Sequence, residues 1–160
     1  MKTQSRKITE IIKGIFSGGT KDVEKNLIAS EGIFKQIPIV EKRDLNNVKR
    51  INVIVSENKD GIIYGITVSG ESKYDEAGKD IFNAAISILS QNMVGSLRNF
   101  TDDKVEFEME KNYVRCILPN MKKGQGSNEA AILIKSALFG MISLQDSYGD
   151  ENIIIQKVIE

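Results

Sequence analysis

Apolar residues near the start of the chain recur at the spacing of one helix face. They are Ile8, Ile11, Ile12, Ile15 and Phe16. The pattern predicts an amphipathic helix that ends at Ser17-Gly18-Gly19. A second helix is predicted from a cap at Thr20 to Gly32 or Pro38.

The segment after these helices is polar. Residues 41–47 are rich in charged residues and asparagine, which favours a linker. We therefore expect two parts, a helical N-terminal extension over residues 1–50 and a main domain over residues 51–160.

From residue 51 the pattern changes to the two-residue alternation of β-strands. The first strand has one face of Ile51, Val53 and Val55 and another of Asn52, Ile54 and Ser56. A turn signal at residues 58–61 and a return strand at residues 62–68 predict a hairpin. A second hairpin is predicted from residues 105–110 to residues 113–118, with Lys111-Asn112 as its turn.

Two longer helices separate these strands. The first is predicted from a cap at Asp80 to about residue 97. Its predicted buried face is Ile81, Ala84, Ala85, Ile88 and Leu89. The second, about residues 130–145, follows a cap at Ser127 or Asn128, and a last strand is predicted near residues 153–158. The order β-β-α-β-β-α-β predicts an α+β fold with helices packed on one face of a mixed β-sheet, plus the helical N-terminal extension.

The charge balance narrows the expected partners. The 160 residues include 22 Lys and Arg and 22 Asp and Glu, so the formal net charge is zero. This argues against bulk electrostatic binding to nucleic acid or to an acidic membrane. The sequence contains neither an apolar run long enough to span a bilayer nor a signal-peptide core. We expect a cytoplasmic protein with no nucleic-acid and no membrane partner.

The chain has no histidine and a single cysteine, Cys116. Without histidine, Ser-His-Asp and Cys-His catalysis within the chain are excluded, and the commonest ligand of transition metals is absent. We therefore predict no cofactor and no metal site. Cys116 alternates in phase with Val114 and Leu118, which predicts a buried structural thiol.

One motif resembles the signature of the ribosomal-processing cysteine proteases. It reads Ser69-Gly70-Glu71 and then Gly78-Lys79-Asp80-Ile81-Phe82-Asn83-Ala84-Ala85. The family reads S-G-H-A and then G-x-D-I-x-C-A-A, where the His and the Cys are catalytic. Those two positions hold Glu71 and Asn83 in this chain. The resemblance extends over about residues 51–160, and residues 1–50 have no counterpart in it.

The resemblance implies where a site lies. In the family the cysteine sits near the start of the first helix, the histidine lies on the adjoining strand end, and the loop between them borders a substrate groove. The implied binding groove consists of Gly70, Glu71, Ser72, Tyr74, Gly78, Asp80 and Asn83. The family trims the N-terminal extension of a large-subunit ribosomal protein and forms homodimers, so a homodimer is implied here as well.

The replaced positions change the expected chemistry. A glutamate with an ordinary pKa of about 4.3 is a weak general base, and asparagine is not a nucleophile for peptide hydrolysis. Glu71 and Asn83 could hydrogen-bond to each other and close the site, or they could be an exposed glutamate and a helix-capping asparagine. A serine beside Lys73 or Lys79 leaves a Ser-Lys dyad as a further alternative.

These observations predict a catalytically inactive relative of the family that acts as a protein- or peptide-binding or assembly module. Its partner would be a second copy of the chain, or a peptide or protein such as a ribosomal protein precursor or an assembly subunit. One alternative is an active cysteine-type peptidase that processes the N-terminal extension of a ribosomal protein with Cys116 as a displaced nucleophile. Another is a structural subunit of a larger assembly.

Overall fold

A computed structural model describes residues 32–41, 50–72 and 80–160. The two N-terminal helices predicted before residue 32, and the predicted linker beyond residue 41, lie outside the described residues. A 3-10 turn at Gly32–Gln36 precedes Pro38. The division into two parts at residue 50 stays a prediction.

The main domain follows the predicted order of strands and helices. Its described elements are β1 (Ile51–Glu57), β2 (Ile63–Ser69), α1 (Ile81–Phe100), β3 (Glu106–Glu110), β4 (Tyr113–Ile117), α2 (Pro119–Lys122), α3 (Asn128–Tyr148) and β5 (Ile153–Ile159). The predicted α+β class is confirmed. The short helix α2 was not predicted, and it begins at Pro119 because proline suits the first helical position.

The five strands form one mixed sheet in the order β3-β4-β2-β1-β5. The β1–β5 pair is parallel, and the other three pairs are antiparallel. The central strands β1 and β2 are buried at every position. The predicted strand β1 is therefore present, but its burial does not alternate, because Asn52 and Ser56 are buried as well as the apolar residues.

Residues in the turns fix the geometry of both hairpins. In the first, the Oδ1 atom of Asn58 accepts hydrogen bonds from the backbone N–H groups of Asp60 and Ile62, at 3.0 and 2.9 Å. Gly61 has a φ of 79°, a conformation that glycine adopts without strain. In the second, Asn112 has a φ of 59°, which asparagine tolerates better than most residues.

The predicted buried face of α1 is wrong for Ile81, Ala84 and Ile88, which are exposed, whereas Leu89 is half-buried against the core. Ile81 and Ile88 are 52% and 66% exposed. The residues that pack inward are Phe82, Ile86, Ser90, Met93, Val94 and Leu97. Ser90 is fully buried, although serine is mostly a surface residue. Its hydroxyl donates to the carbonyl of Ile86 at 2.7 Å, which satisfies it inside the core.

The two long helices pack against each other and against the sheet. Phe82 of α1 meets Tyr148 of α3 edge to face, with 4.5 Å between ring centroids. Farther along, a Cβ on Gly140 would lie 2.7 Å from Cδ2 of Leu89, so glycine permits the close approach of the helices there. Phe82 thus anchors the first turn of α1, where the candidate site lies.

The chain before the main domain covers the outer edge of β5. The N–H of Val40 donates to the carbonyl of Lys157, and the N–H of Lys157 donates to the carbonyl of Pro38, both at 2.8 Å. Ile37 is buried in the core. The buried ammonium of Lys157 lies 2.9 Å from the Glu57 carboxylate and 3.2 Å from the Phe34 carbonyl. It therefore ties β1, β5 and the 3-10 turn together.

Candidate functional site

The candidate site begins where β2 ends, at Gly70. Its φ is 85°, and an added Cβ would lie 2.5 Å from the backbone oxygen of Arg50, so this position requires glycine. The N–H of Gly70 donates to the carbonyl of Asn112 at 3.0 Å. The tip of the β3–β4 hairpin therefore holds the chain as it leaves the sheet.

Glu71 is exposed and also contacts this hairpin tip. Its Oε2 atom accepts a hydrogen bond of 2.9 Å from the side-chain amide of Asn112. Asn112 thus contacts the site through both its backbone and its side chain. Sequence reasoning identified Asn112 only as a turn residue, since its separation from Glu71 by 41 positions hides the contact.

Asn83 occupies the third position of α1, as the family motif implies. Its Oδ1 atom accepts from the N–H of Ser72 at 3.0 Å, and its Nδ2 atom donates to Oδ2 of Asp80 at 3.0 Å. A longer contact of 3.4 Å joins Nδ2 to the carbonyl of Ser72. Within the described residues, Asn83 therefore bonds to Ser72 and Asp80, and Glu71 bonds to Asn112. The possible hydrogen bond between Glu71 and Asn83 is not formed.

Asp80 lies at the centre of this network and is the predicted N-cap of α1. Its Oδ1 atom accepts from the N–H groups of Phe82 and Asn83, at 3.0 and 3.1 Å. Its Oδ2 atom accepts from the Ser72 hydroxyl at 2.5 Å. Both Asp80 and Ser72 are more than nine-tenths buried. The positive end of the helix dipole favours the carboxylate at this position.

The remaining predicted groove residues, Tyr74 and Gly78, lie outside the described residues. Lys73 and Lys79 lie there too, so neither the Ser-Lys alternative nor the whole groove is tested. Of the predicted set, the structure brings Ser72, Asp80 and Asn83 together around the start of α1. It places Gly70 and Glu71 beside the hairpin tip.

Cys116 does not belong to this site. It lies in β4 and is fully buried, as predicted. Burial raises the pKa of its thiol to about 11, against a smaller opposing effect of the Arg115 charge. A thiol of that pKa holds very little thiolate at neutral pH, so Cys116 is not an activated nucleophile.

The described part of the chain has neither a metal cluster nor a membrane-spanning helix. Among residues 32–41, 50–72 and 80–160, no group of three or more Cys, Asp or Glu side chains is arranged to hold a metal ion. In the same residues, no helix combines the length and the apolar character that crossing a membrane requires.

Comparisons with known proteins agree with the motif. The family model for the cysteine protease Prp matches residues 50–153. A similar solved structure is the ribosomal processing protease Prp from S. aureus with a covalently linked product peptide. It has 17% identity and a TM-score of 0.59, covering 67% of this chain and 98% of that one. The same protease with a substrate peptide gives 18% identity and a TM-score of 0.57, with the same coverage.

A protein from Streptococcus mutans has the same fold. It shows 23% identity and a TM-score of 0.58, and the match covers 70% of this chain and all of that one. No curated protein sequence matches the chain.

Proposed function

The chain belongs to the Prp cysteine protease family, and we propose that it is a catalytically inactive member that binds a peptide or protein at the Glu71–Asn83 site. The observation that carries this proposal is the hydrogen bonding of the amide of Asn83, a residue that the motif aligns with the family's nucleophile. Its oxygen and nitrogen are both engaged in hydrogen bonds with Ser72 and Asp80. An amide in that setting holds the chain after β2 against the start of α1, and it is a poor nucleophile because the nitrogen lone pair is delocalised into the carbonyl group.

The absence of a histidine base supports the same conclusion. The 160 residues include no histidine, and the family's histidine position holds Glu71, whose carboxylate is engaged by Asn112. The alternative of an active peptidase with Cys116 as nucleophile is opposed by the burial and the raised thiol pKa of that residue.

A peptide is the ligand class that the site suits. The proposed groove comprises Gly70, Glu71, Ser72, Tyr74, Gly78, Asp80 and Asn83. Two of the solved relatives are complexes with a peptide, one a product and one a substrate. The exposed carboxylate of Glu71 is fixed in place by Asn112, so it offers an acceptor to a peptide N–H or to a basic side chain.

The wider setting is proposed from the family and from composition. We propose that the chain forms a homodimer in the cytoplasm and binds neither nucleic acid nor a membrane. The zero formal net charge supports the last two points, because bulk electrostatic attraction to polyanions requires an excess of basic residues.

The test combines cleavage and binding with one peptide. The probe is a fluorescent peptide that carries the N-terminal extension of the ribosomal protein that the family processes. We expect saturable binding to the full chain by fluorescence anisotropy, and no cleavage by mass spectrometry over hours. Glu71→Ala should weaken binding several-fold, whereas Glu129→Ala should not, because it removes an exposed glutamate from the first turn of α3, at the opposite end of that helix from Tyr148 and the start of α1.

Two outcomes would refute the proposal. Cleavage that disappears in Cys116→Ala would show an active peptidase with a displaced nucleophile. Equal binding by the wild-type and Glu71→Ala proteins would show that the peptide does not use this site.

A further inference from the structure

The two edges of the sheet differ in their protection. The edge strand β5 is covered by residues 38–40, which bond to the backbone of Lys157. The opposite edge strand, β3, is exposed at all five of its positions. An open edge strand presents unpaired N–H and C=O groups, to which another extended chain can add.

The register identifies the outward-facing backbone groups. A two-residue turn joins β3 to β4, so its flanking pair, Glu110 and Tyr113, exchanges hydrogen bonds. Bonded and non-bonded pairs alternate along an antiparallel ladder. The N–H and C=O groups of Phe107 and Met109 therefore point away from β4. No residue in the described ranges bonds to them.

The side chains of β3 give the edge a definite chemical pattern. Glu106, Glu108 and Glu110 lie on one face of the strand. Phe107 and Met109 lie on the other, in register with Cys116 and Val114, and each is 43% exposed. The guanidinium of Arg98 lies over the Phe107 ring at 4.8 Å from its centroid. One face of the edge therefore carries three glutamates, of which Glu106 is paired with Lys104 at 2.7 Å and Glu108 lies across from Arg115 of β4. The other face is apolar, with Arg98 beside it.

We propose that the β3 edge binds an extended peptide in which basic and apolar residues alternate, adding it to the sheet as a sixth strand. The basic side chains would face the three glutamates, and the apolar ones would cover Phe107 and Met109. A cation on the apolar face is disfavoured because Arg98 already occupies it. This site lies on the far side of β4 from β2, and the proposal does not depend on peptide binding at Glu71 and Asn83.

A second copy of the chain is a poor occupant of this edge. Pairing β3 with β3 of another copy on a two-fold axis would place glutamates opposite or diagonal to glutamates on one face. Like charges directly across strands destabilise a sheet. The charge pattern thus selects a basic strand over self-association.

The test uses fluorescent peptides of sequence Lys-Val-Lys-Ile-Lys-Val and full-length protein at low salt. We expect saturable binding that weakens as salt rises, and no binding of the matched Glu-Val-Glu-Ile-Glu-Val peptide. Two N-methylated peptides provide the sharper control. In antiparallel addition, the apolar residues lie opposite Phe107 and Met109 and exchange hydrogen bonds with them. Methylating the apolar nitrogens should therefore reduce affinity by about tenfold or more, while methylating the lysine nitrogens should not.

A variant of the protein locates the site without disturbing the core. The combined substitution Glu106→Gln, Glu108→Gln and Glu110→Gln changes only exposed side chains, and it should weaken binding and flatten its salt dependence. Glu129→Gln with Glu151→Gln is the control and should leave binding unchanged.

The outcomes separate strand addition from the alternatives. A loss of affinity that is confined to the lysine-methylated peptide would support parallel addition of the peptide at the same edge. Equal binding of both methylated peptides, or binding unaffected by the triple Gln variant, would overturn the proposal. Self-association that strengthens in the triple Gln variant would assign the edge to a second copy and would overturn it as well.

Discussion

Removing the carboxylate of Asp80 should destabilise the domain more than any exposed acidic substitution. Asp80→Ala removes the N-cap of α1, which usually costs about 1 kcal/mol. It also removes the acceptor of the buried Ser72 hydroxyl and of the Asn83 amide. A hydrogen bond to a charged group contributes about 1.5–3 kcal/mol. Since these contacts share one side chain, we expect a total loss of roughly 2–4 kcal/mol rather than the full sum.

The measurement is urea denaturation followed by circular dichroism, with Asp102→Ala as the control because Asp102 is exposed. Asp80→Asn provides a graded comparison, since asparagine caps helices about as well as aspartate. It should recover the cap and lose only the contacts of Oδ2. The reasoning would be refuted if Asp80→Ala and Asp102→Ala differed by less than about 0.5 kcal/mol, the usual range of surface substitutions.

Three further results are expected. Cys116 should react slowly with iodoacetamide in the folded protein and rapidly in denaturant. The free energy of unfolding should also fall as pH increases from about 9 to about 11, because the thiol ionises readily in that range only in the unfolded state. Lys157→Met should lower the free energy of unfolding by about 3–5 kcal/mol, because it leaves the buried Glu57 carboxylate without its partner. Adding Glu57→Leu to Lys157→Met should restore most of that free energy in the same urea assay, and equal stability of the single and double variants would contradict this. Glu71→His with Asn83→Cys, in a Cys116→Ala background, should give a thiol with an apparent pKa below about 8.5 by pH-dependent labelling, and a higher value would mean that residue 83 does not occupy the family's nucleophile position.

The elements that the sequence predicted correctly are those governed by local chemistry. Asn58 and Gly61 specify the first hairpin, and Ser127 specifies the cap of α3, where its hydroxyl accepts from the N–H of Ala130 at 3.0 Å. Each of these signals acts within four residues. A pattern of neighbouring residues therefore contains all the information that such an element needs.

The features that the sequence could not supply depend on contacts between distant residues. Apolar residues surround the first turns of α1, so periodicity alone selected the wrong face. In the folded domain Phe82 packs against Tyr148 of α3, and Ser90 is buried. In the same way, no local rule places Asn112 beside Glu71, because that contact requires the hairpin tip to fold back onto the end of β2.

The candidate site combines both kinds of information. Its position at the first turn of α1 follows from the motif and from the cap at Asp80. The hydrogen bonds of its side chains do not follow from the motif. The partners of Asn83 lie in the chain before the helix, and the partner of Glu71 lies at the hairpin tip. The motif aligns Glu71 and Asn83 with the family's catalytic positions, but only the hydrogen bonds show what these two side chains contact.

Glu71 and Asn83, which the motif aligns with the family's catalytic positions, are bound to different parts of the fold. Asn83 is joined to the N-cap of α1 and to Ser72, whereas Glu71 is joined to the β3–β4 hairpin. On our proposal, each side chain now stabilises its own neighbourhood independently of the other. Restoring a cysteine at position 83 alone would therefore supply a thiol without a base. Restoring a histidine at position 71 alone would place an imidazole beside Asn112 with no thiol to activate. A recovered catalytic pair requires both changes, and it also requires the imidazole to leave the hairpin tip and turn toward the start of α1.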